Sequence, residues 1–262
     1  MNLPFDKYHG AGNDFILVDD RENIYRSLLT RERIHKLCHR HFGVGADGLI
    51  LLGNHPNADF EMIYYNADGG LGSLCGNGSR CISAFANFLG LIGTNFRFIA
   101  SDGNHYGKYN GNNSYSIKMN DVNSVKIIQP DKIFEINTGS PHYIEFVDDV
   151  DNINIVQEGK KIRYSVEYAK EGINVNFASI KNGELYIRTY ERGVEDETLA
   201  CGTGATATAL AYYSIYKNNN DILLNALGGK LSINFGNNPD GSFSNIWLTG
   251  EAEYIFSGNT KF

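Results

Sequence analysis

The apolar positions of this chain fall into many short runs. Alternating or wholly apolar stretches at Phe15–Val18, Leu49–Leu52, Glu61–Tyr65, Arg97–Ala100, Ser114–Met119, Tyr143–Phe146, Asn174–Ala178, Leu185–Tyr190 and Ile246–Leu248 predict strands. Three stretches follow the helical period instead. Thr30 is suited to cap a helix running to about His41. Cys81, Ala84, Phe85, Phe88 and Leu89 form one stripe of a helix over 79–89, and Ala207, Leu210, Ala211 and Ile215 form one over 205–215. The second opens with small Ala and Thr residues that allow close packing on every side, and both read as buried. Asn110–Asn113 and Asn237–Gly241 read as turns.

The pattern repeats at half the chain length. Cys75-Gly-Asn-Gly78 opens the first of these two helices and Cys201-Gly-Thr-Gly204 the second, 126 positions later. Gly10–Asp20 (GAGNDFILVDD) and Thr138–Asp149 (TGSPHYIEFVDD) each join a Gly turn to an apolar run ending in Asp-Asp. Gly43 and Gly172 each lead into a predicted strand. Alternating runs at Met62–Asn66 and Leu185–Glu191 precede the two cysteines at similar distances. Several matches in one order and at nearly one offset imply an internal duplication. The expected architecture is α+β: two pseudo-symmetric halves, each a cage of mostly antiparallel strands around a central helix. Boundaries are expected at 1–121 and 122–249, with the site between the halves.

Composition narrows the function classes. The 262 residues are 42% hydrophobic and 20% charged, as expected of a chain with a real core. A net charge of −7 without a basic cluster argues against a nucleic-acid partner. The N-terminus lacks a basic-then-apolar signal pattern, and no stretch of 18 apolar residues appears, so the expectation is a cytoplasmic location, no membrane and reduced thiols.

The two repeated cysteines are the candidate chemistry. A helix N-terminus exposes unpaired amides and partial positive charge, which binds an anion and lowers the pKa of a nearby thiol. Glycines allow close backbone approach. Two such loops facing each other suit inversion at a carbon beside a carboxylate. One thiolate removes the α-hydrogen, the opposite thiol returns a proton, and preorganised amides stabilise the developing enediolate. Cys38 and Cys81 sit inside helical patterns without counterparts and read as buried hydrophobes. The Cys75–Cys81 spacing lacks zinc-ligand character, and no Gly-Lys-Ser/Thr follows either turn. The competing class is a thiol-disulfide redox or sensor protein, which would need the two thiols to form a working disulfide.

Lys7–Phe15 (KYHGAGNDF), Asn66-Ala-Asp-Gly69, Cys75–Gly78 and Glu191–Val194 with Glu197–Gly204 together resemble the diaminopimelate epimerase family over most of the chain. The resemblance implies a PLP-independent, metal-free isomerase that interconverts LL- and meso-diaminopimelate in lysine and cell-wall precursor biosynthesis, and a homodimer. It implies a C-terminal segment, 250–262, packed back on the first half. It also implies catalytic roles for Cys75 and Cys201. Substrate binding would fall to Asn13, Asn66, Gly76, Asn77, Asn174, Glu191, Arg192, Gly202 and Thr203, with His142 supporting one thiol. An Arg grips a carboxylate bidentately, and a Glu pairs an ammonium, which suits a substrate zwitterionic at both ends. Three positions depart from the family pattern. Ser140 replaces the Asn of Asn-Pro-His, Gly48 stands where some members carry Gln, and Glu191–Thr198 is one residue longer than usual. Histidine- or proline-type racemases of the same fold are the alternatives within cofactor-independent chemistry.

Overall fold

The computed structural model describes residues 2–72, 74–217 and 219–261. The chain divides into two compact units, Met1–Ile117 with Gly250–Phe262, and Lys118–Thr249. In the first, β1 (Asn2–Gly10) and β2 (Asn13–Asp19) form a hairpin, and β3 (Gly48–Gly53) runs parallel to β2. Next, β4 (Phe60–Asn66) is antiparallel to β3, and β5 (Asn95–Ala100) is parallel to β4. The run ends with β6 (Gly103–Tyr109) and β7 (Ser114–Lys118), both antiparallel to their predecessors. Between these strands, α1 (Arg31–Cys38) joins β2 to β3, and α2 (Gly76–Phe88) joins β4 to β5.

The second unit opens with β8 (Lys126–Gln129) and then repeats that grammar. The strands are β9 (Ile133–Asn137), β10 (Pro141–Phe146), β11 (Asn174–Lys181), β12 (Glu184–Glu191), the short β13 (Asp196–Thr198), β14 (Asp221–Ala226), β15 (Gly229–Asn237) and β16 (Phe243–Glu251). From β9, with β13 set aside, the pairings run antiparallel, parallel, antiparallel, parallel, antiparallel, antiparallel, as they do from β1. Here α3 (Ile155–Arg163) is the counterpart of α1, and α4 (Gly202–Tyr216) the counterpart of α2. The last strand, β17 (Glu253–Lys261), pairs antiparallel with β1 from Asn2↔Lys261 to His9↔Glu253. The fold is thus the expected α+β duplication of mostly antiparallel strands around a central helix in each half.

Phe15–Val18 of β2 and Leu49–Leu52 of β3 are apolar without a break because both of their faces are covered. Phe15, Leu17, Ile50 and Leu52 face α2, where Ile82, Phe85 and Ala86 meet them. The alternate residues, Ile16, Val18, Leu49 and Leu51, face α1 through Ile34 and Leu37. Each such large side chain contributes about 1.5–3 kcal/mol by leaving water. Residues Gly76 through Ala86 of α2 are all buried. Phe88, on the predicted stripe, is 74% exposed, because it closes the helix in a last turn that leaves the cage. In α4, Ala207, Leu210 and Ala211 are buried, and Ile215 is only partly so.

Two local readings change. Thr30 does cap α1, its hydroxyl accepting from Arg33 N at 3.4 Å, but the helix stops at Cys38. His39 is extended (φ −67°, ψ 122°), which ends the helix before His41. The second change is α3, which periodicity misses because Gly159 sits in its middle and reads as a breaker. The glycine is needed there: a Cβ would fall 2.5 Å from Tyr190 Cβ, so only glycine lets α3 lie on β12.

Candidate active site

In both units the cysteine is the N-cap of the central helix. Cys75 has φ −110° and ψ 118°, and Cys201 has φ −115° and ψ 114°. The two Cys-Gly-X-Gly turns therefore present their thiols with nearly the same backbone geometry at two helix heads. Both side chains are partly buried, and all four cysteines are free thiols. Cys38 and Cys81 are buried in the core, where burial pushes the Cys38 thiol up to about 12 and the Cys81 thiol further still.

Around Cys75 the first unit brings together Asn13, Gly76 and Asn77. The Cys75 sulfur accepts from the Gly78 amide at 3.4 Å and faces Asn13 Oδ1 at 3.7 Å. Asn77 Nδ2 donates to the same Asn13 oxygen at 3.4 Å. Two anchors hold this arrangement. Asn13 Nδ2 donates to Asp47 Oδ2 at 2.6 Å, and Arg80 Nη2 donates to Asn77 Oδ1 at 3.0 Å. Arg80 is fully buried, with further bonds to the carbonyls of Gly76 and Glu251, each at 3.4 Å. The Lys7–Asp14 pair (2.8 Å) of the KYHGAGND segment lies behind Asn13. Burial raises the Asp14 carboxyl, but hydrogen bonds from Arg40 and Lys7 outweigh it and hold Asp14 near about 2. Asn66 stands apart from this network: its described bonds close the turn to Gly69 and Gly70.

Around Cys201 the second unit assembles Ser140, His142, Asn174, Arg192, Gly202 and Thr203. Thr203 Oγ1 lies 3.4 Å from the Cys201 sulfur and 3.2 Å from Ser140 Oγ. Ser140 Oγ is 2.9 Å from His142 Nε2 and accepts from Asn174 Nδ2 at 3.2 Å. His142 is fully buried, and burial together with the Arg192 charge lowers it to about 3, so the ring is neutral. Its Nδ1 lies 3.1 Å from Asn176 Nδ2. Asn174 Oδ1 accepts the Arg192 backbone amide at 2.9 Å, which ties the Glu191-Arg192 corner to the head of β11. The Arg192 side chain is exposed and donates to the Glu171 carbonyl, and Glu191 is half-buried at the end of β12. Ser140, Asn176, Arg80 and Asp47 are the members of these networks that local sequence patterns did not single out. Only Ser140 was flagged, as a departure.

Among the described residues, no group of three or more His, Cys, Asp or Glu side chains could hold a metal ion. The arrangement offers two thiols at helix heads, each beside a hydroxyl or amide network. That is equipment for moving protons next to an anionic group.

The sequence profile described as diaminopimelate epimerase matches residues 5–125 and 134–255. A diaminopimelate epimerase of Flavobacterium psychrophilum is 49% identical over 252 residues, covering 95% of this chain and 97% of the relative. The chain belongs to the diaminopimelate epimerase family. A diaminopimelate epimerase of Chlorobaculum tepidum is 39% identical, covering 95% of this chain and 98% of its own. Solved structures show the likeness of fold at low identity. A Bacillus anthracis phenazine biosynthesis protein of the PhzF family superposes with a TM-score of 0.79 at 14% identity, covering both chains fully. A hydroxyproline epimerase from Agrobacterium vitis, with bound trans-4-hydroxy-L-proline, gives 0.67 at 15% identity, covering 99% of this chain and 92% of that one. Within the diaminopimelate epimerase family, this chain's Gly48 has a local cause. A Cβ there would fall 2.6 Å from both the Tyr64 ring and the Tyr65 carbonyl, so Tyr64 occupies the space a longer residue would take.

Proposed function

We propose that this chain is an isomerase that interconverts LL- and meso-2,6-diaminopimelate by a two-base mechanism, with Cys75 and Cys201 as the acid–base pair. The observation that carries the reading is the matched geometry of the two cysteine N-caps in a chain 49% identical to a diaminopimelate epimerase. One cysteine, as thiolate, takes the α-hydrogen, and the other, as thiol, delivers a proton to the opposite face of the same carbon. The first-turn amides, at Gly76-Asn77 and Gly202-Thr203, receive the reacting carboxylate and the enediolate that forms from it, a role supported by their position at two helix N-termini. Arg192 and Glu191 recognise the carboxylate and ammonium of the substrate, and Asn13, Asn66 and Asn174 position its polar groups. The side-chain chemistry runs on thiols alone.

In this reading the product feeds lysine and peptidoglycan precursor synthesis in the cytoplasm, and the homodimer is carried over from the family resemblance alone. No described helix is long and apolar enough to cross a membrane.

Solvent-deuterium incorporation at the α-carbon tests the assignment, with diaminopimelate, histidine, proline and glutamate offered separately. Exchange with diaminopimelate is expected. Exchange confined to another amino acid moves the chain to a racemase of that substrate.

A further inference from the structure

The hydrogen bonds around Ser140 have only one consistent direction. Asn176 Oδ1 accepts from Thr189 Oγ1 at 2.9 Å, and its Nδ2 donates to the Tyr143 carbonyl at 3.0 Å. Turning the amide over would set oxygen against oxygen, so its orientation is fixed. Asn176 Nδ2 therefore donates to His142 Nδ1, and the neutral ring carries its proton on Nε2. That N–H donates to Ser140 Oγ. Asn174 Nδ2 donates to the same oxygen, and its own orientation is fixed by Asn174 Oδ1, which accepts the Arg192 amide. A hydroxyl has two lone pairs and one proton. With both lone pairs taken, the Ser140 proton must go to Thr203 Oγ1, which leaves the Thr203 proton for the Cys201 sulfur.

We propose that Ser140 is a positioning residue whose hydroxyl, with that of Thr203, forms a one-way donor chain from His142 to the Cys201 sulfur and stabilises the Cys201 thiolate. The inference deepens the function proposed above and rests on it. In this arrangement His142 does not take a proton from Cys201, since its Nε2 is already protonated and its Nδ1 is occupied by Asn176. It acts as the fixed end of a line of dipoles that favour negative charge on sulfur. Serine in place of asparagine fits this role: an amide has no group that accepts two donors and passes a proton on from the same atom.

The charged and titratable groups on β10, β12 and β13 are His142, Tyr143 and Glu145 on β10, Glu184, Tyr186, Tyr190 and Glu191 on β12 with Arg192 just beyond it, Asp196 on β13, and the closed Arg188–Glu197 pair between β12 and β13. All are retained in the variants below, so a change in the Cys201 titration reports the hydroxyl chain.

The test is iodoacetamide labelling of the full-length chain from pH 5 to 9, with Cys75 and Cys201 quantified separately by peptide mass spectrometry, because the thiolate is the reacting form. Ser140→Ala is expected to lower Cys201 labelling at pH 7 by about tenfold, an upward shift of about one pH unit, while Cys75 keeps the wild-type curve. Ser140→Thr, which restores a hydroxyl, is expected to recover most of it. If Ser140→Ala does not fold, Thr203→Val breaks the chain one link later and should give the same shift. An unchanged Cys201 curve in a folded hydroxyl-deleted variant overturns the proposal, and so does a shift that Ser140→Thr shares. Diaminopimelate epimerisation is measured on the same samples. Wild-type protein that does not epimerise diaminopimelate sinks the functional reading, and its thiol titrations stand apart from that result.

Discussion

Asn13 Nδ2 is fixed 2.6 Å from Asp47 Oδ2, and this contact turns the other end of the Asn13 amide toward the Cys75 sulfur. A carboxylate accepts and never donates when ionised, so the amide has one stable orientation. Asn13→Ala removes the oxygen that both Cys75 and Asn77 Nδ2 face. The expected result is a fall in kcat/KM of about tenfold or more, equivalent to about 1.4 kcal/mol of transition-state stabilisation. Asp47→Ala leaves Asn13 in place but unlocked and should give a smaller fall in the same direction. Steady-state kinetics of the two variants decide it, and a larger effect from Asp47→Ala would contradict the anchoring role.

Replacing either Cys75 or Cys201 with Ser keeps size and capping ability but substitutes a group that does not ionise near working pH. Each change should cost about 10²–10⁴ in kcat, the usual worth of a positioned acid or base. Wild-type turnover in either variant rules out a two-thiol mechanism.

His142 gives the fold a specific acid sensitivity. Burial, with Arg192, lowers it to about 3, whereas in the unfolded chain it titrates near about 6.5. Between these values the unfolded state binds a proton that the native state refuses, so stability rises with pH across the window and falls as the pH drops through it. The contribution is fully present above about 6.5 and is lost toward about 3, with a slope of at most about 1.4 kcal/mol per pH unit. Urea midpoints from pH 7 to 4 should show this slope, and His142→Gln should flatten it.

Arg80 spends its guanidinium on three neutral oxygens, those of Asn77, Gly76 and Glu251. Arg80→Met removes the charge and takes the guanidinium donor away from the Asn77 side-chain oxygen in the interior, whereas the Gly76 carbonyl still meets the backbone amide of position 80 one turn on in α2. A loss of about 1–3 kcal/mol of stability is expected from the removal of this donor. Chemical denaturation measures it, and a variant as stable as wild type would show that water or another donor replaces the guanidinium.

At Gly48 the space question has a direct readout. Gly48→Gln meets the backbone carbonyl of Tyr65 as well as the Tyr64 ring, and a backbone atom does not give way. Destabilisation of about 1–3 kcal/mol is expected. Pairing it with Tyr64→Ala should recover only the part due to the ring.

What the sequence disclosed follows from the range of each signal. The two cysteine turns and their helices were legible because Cys-Gly-X-Gly followed by small apolar residues is a local pattern, and its recurrence was visible by comparison of halves. The apolar runs at Phe15–Val18 and Leu49–Leu52 announced strands, and the structure adds that both of their faces are covered. The α3 helix was not legible, since Gly159 serves a contact with Tyr190 that lies 31 positions away. Ser140 was read only as a departure from the family's Asn, whereas its hydroxyl sits at the junction of bonds to His142, Asn174 and Thr203. Nothing in the local pattern singles out Arg80. Only its bonds to Asn77 and to Glu251, the latter 171 positions away, reveal a buried cation. Networks that close across such separations leave no periodic trace.

The antiparallel pairing of Asn2–His9 with Glu253–Lys261 bears on how the chain is made. Residues 118–249 are contiguous and hold all the strands of their own unit as soon as they have left the ribosome. The unit containing the N-terminus is synthesised first, yet β1 lacks its outer neighbour until β17 emerges. Until then it presents an open strand edge, the kind of surface that invites wrong pairing. The half of the molecule whose synthesis begins first is therefore the half whose set of strands is completed last.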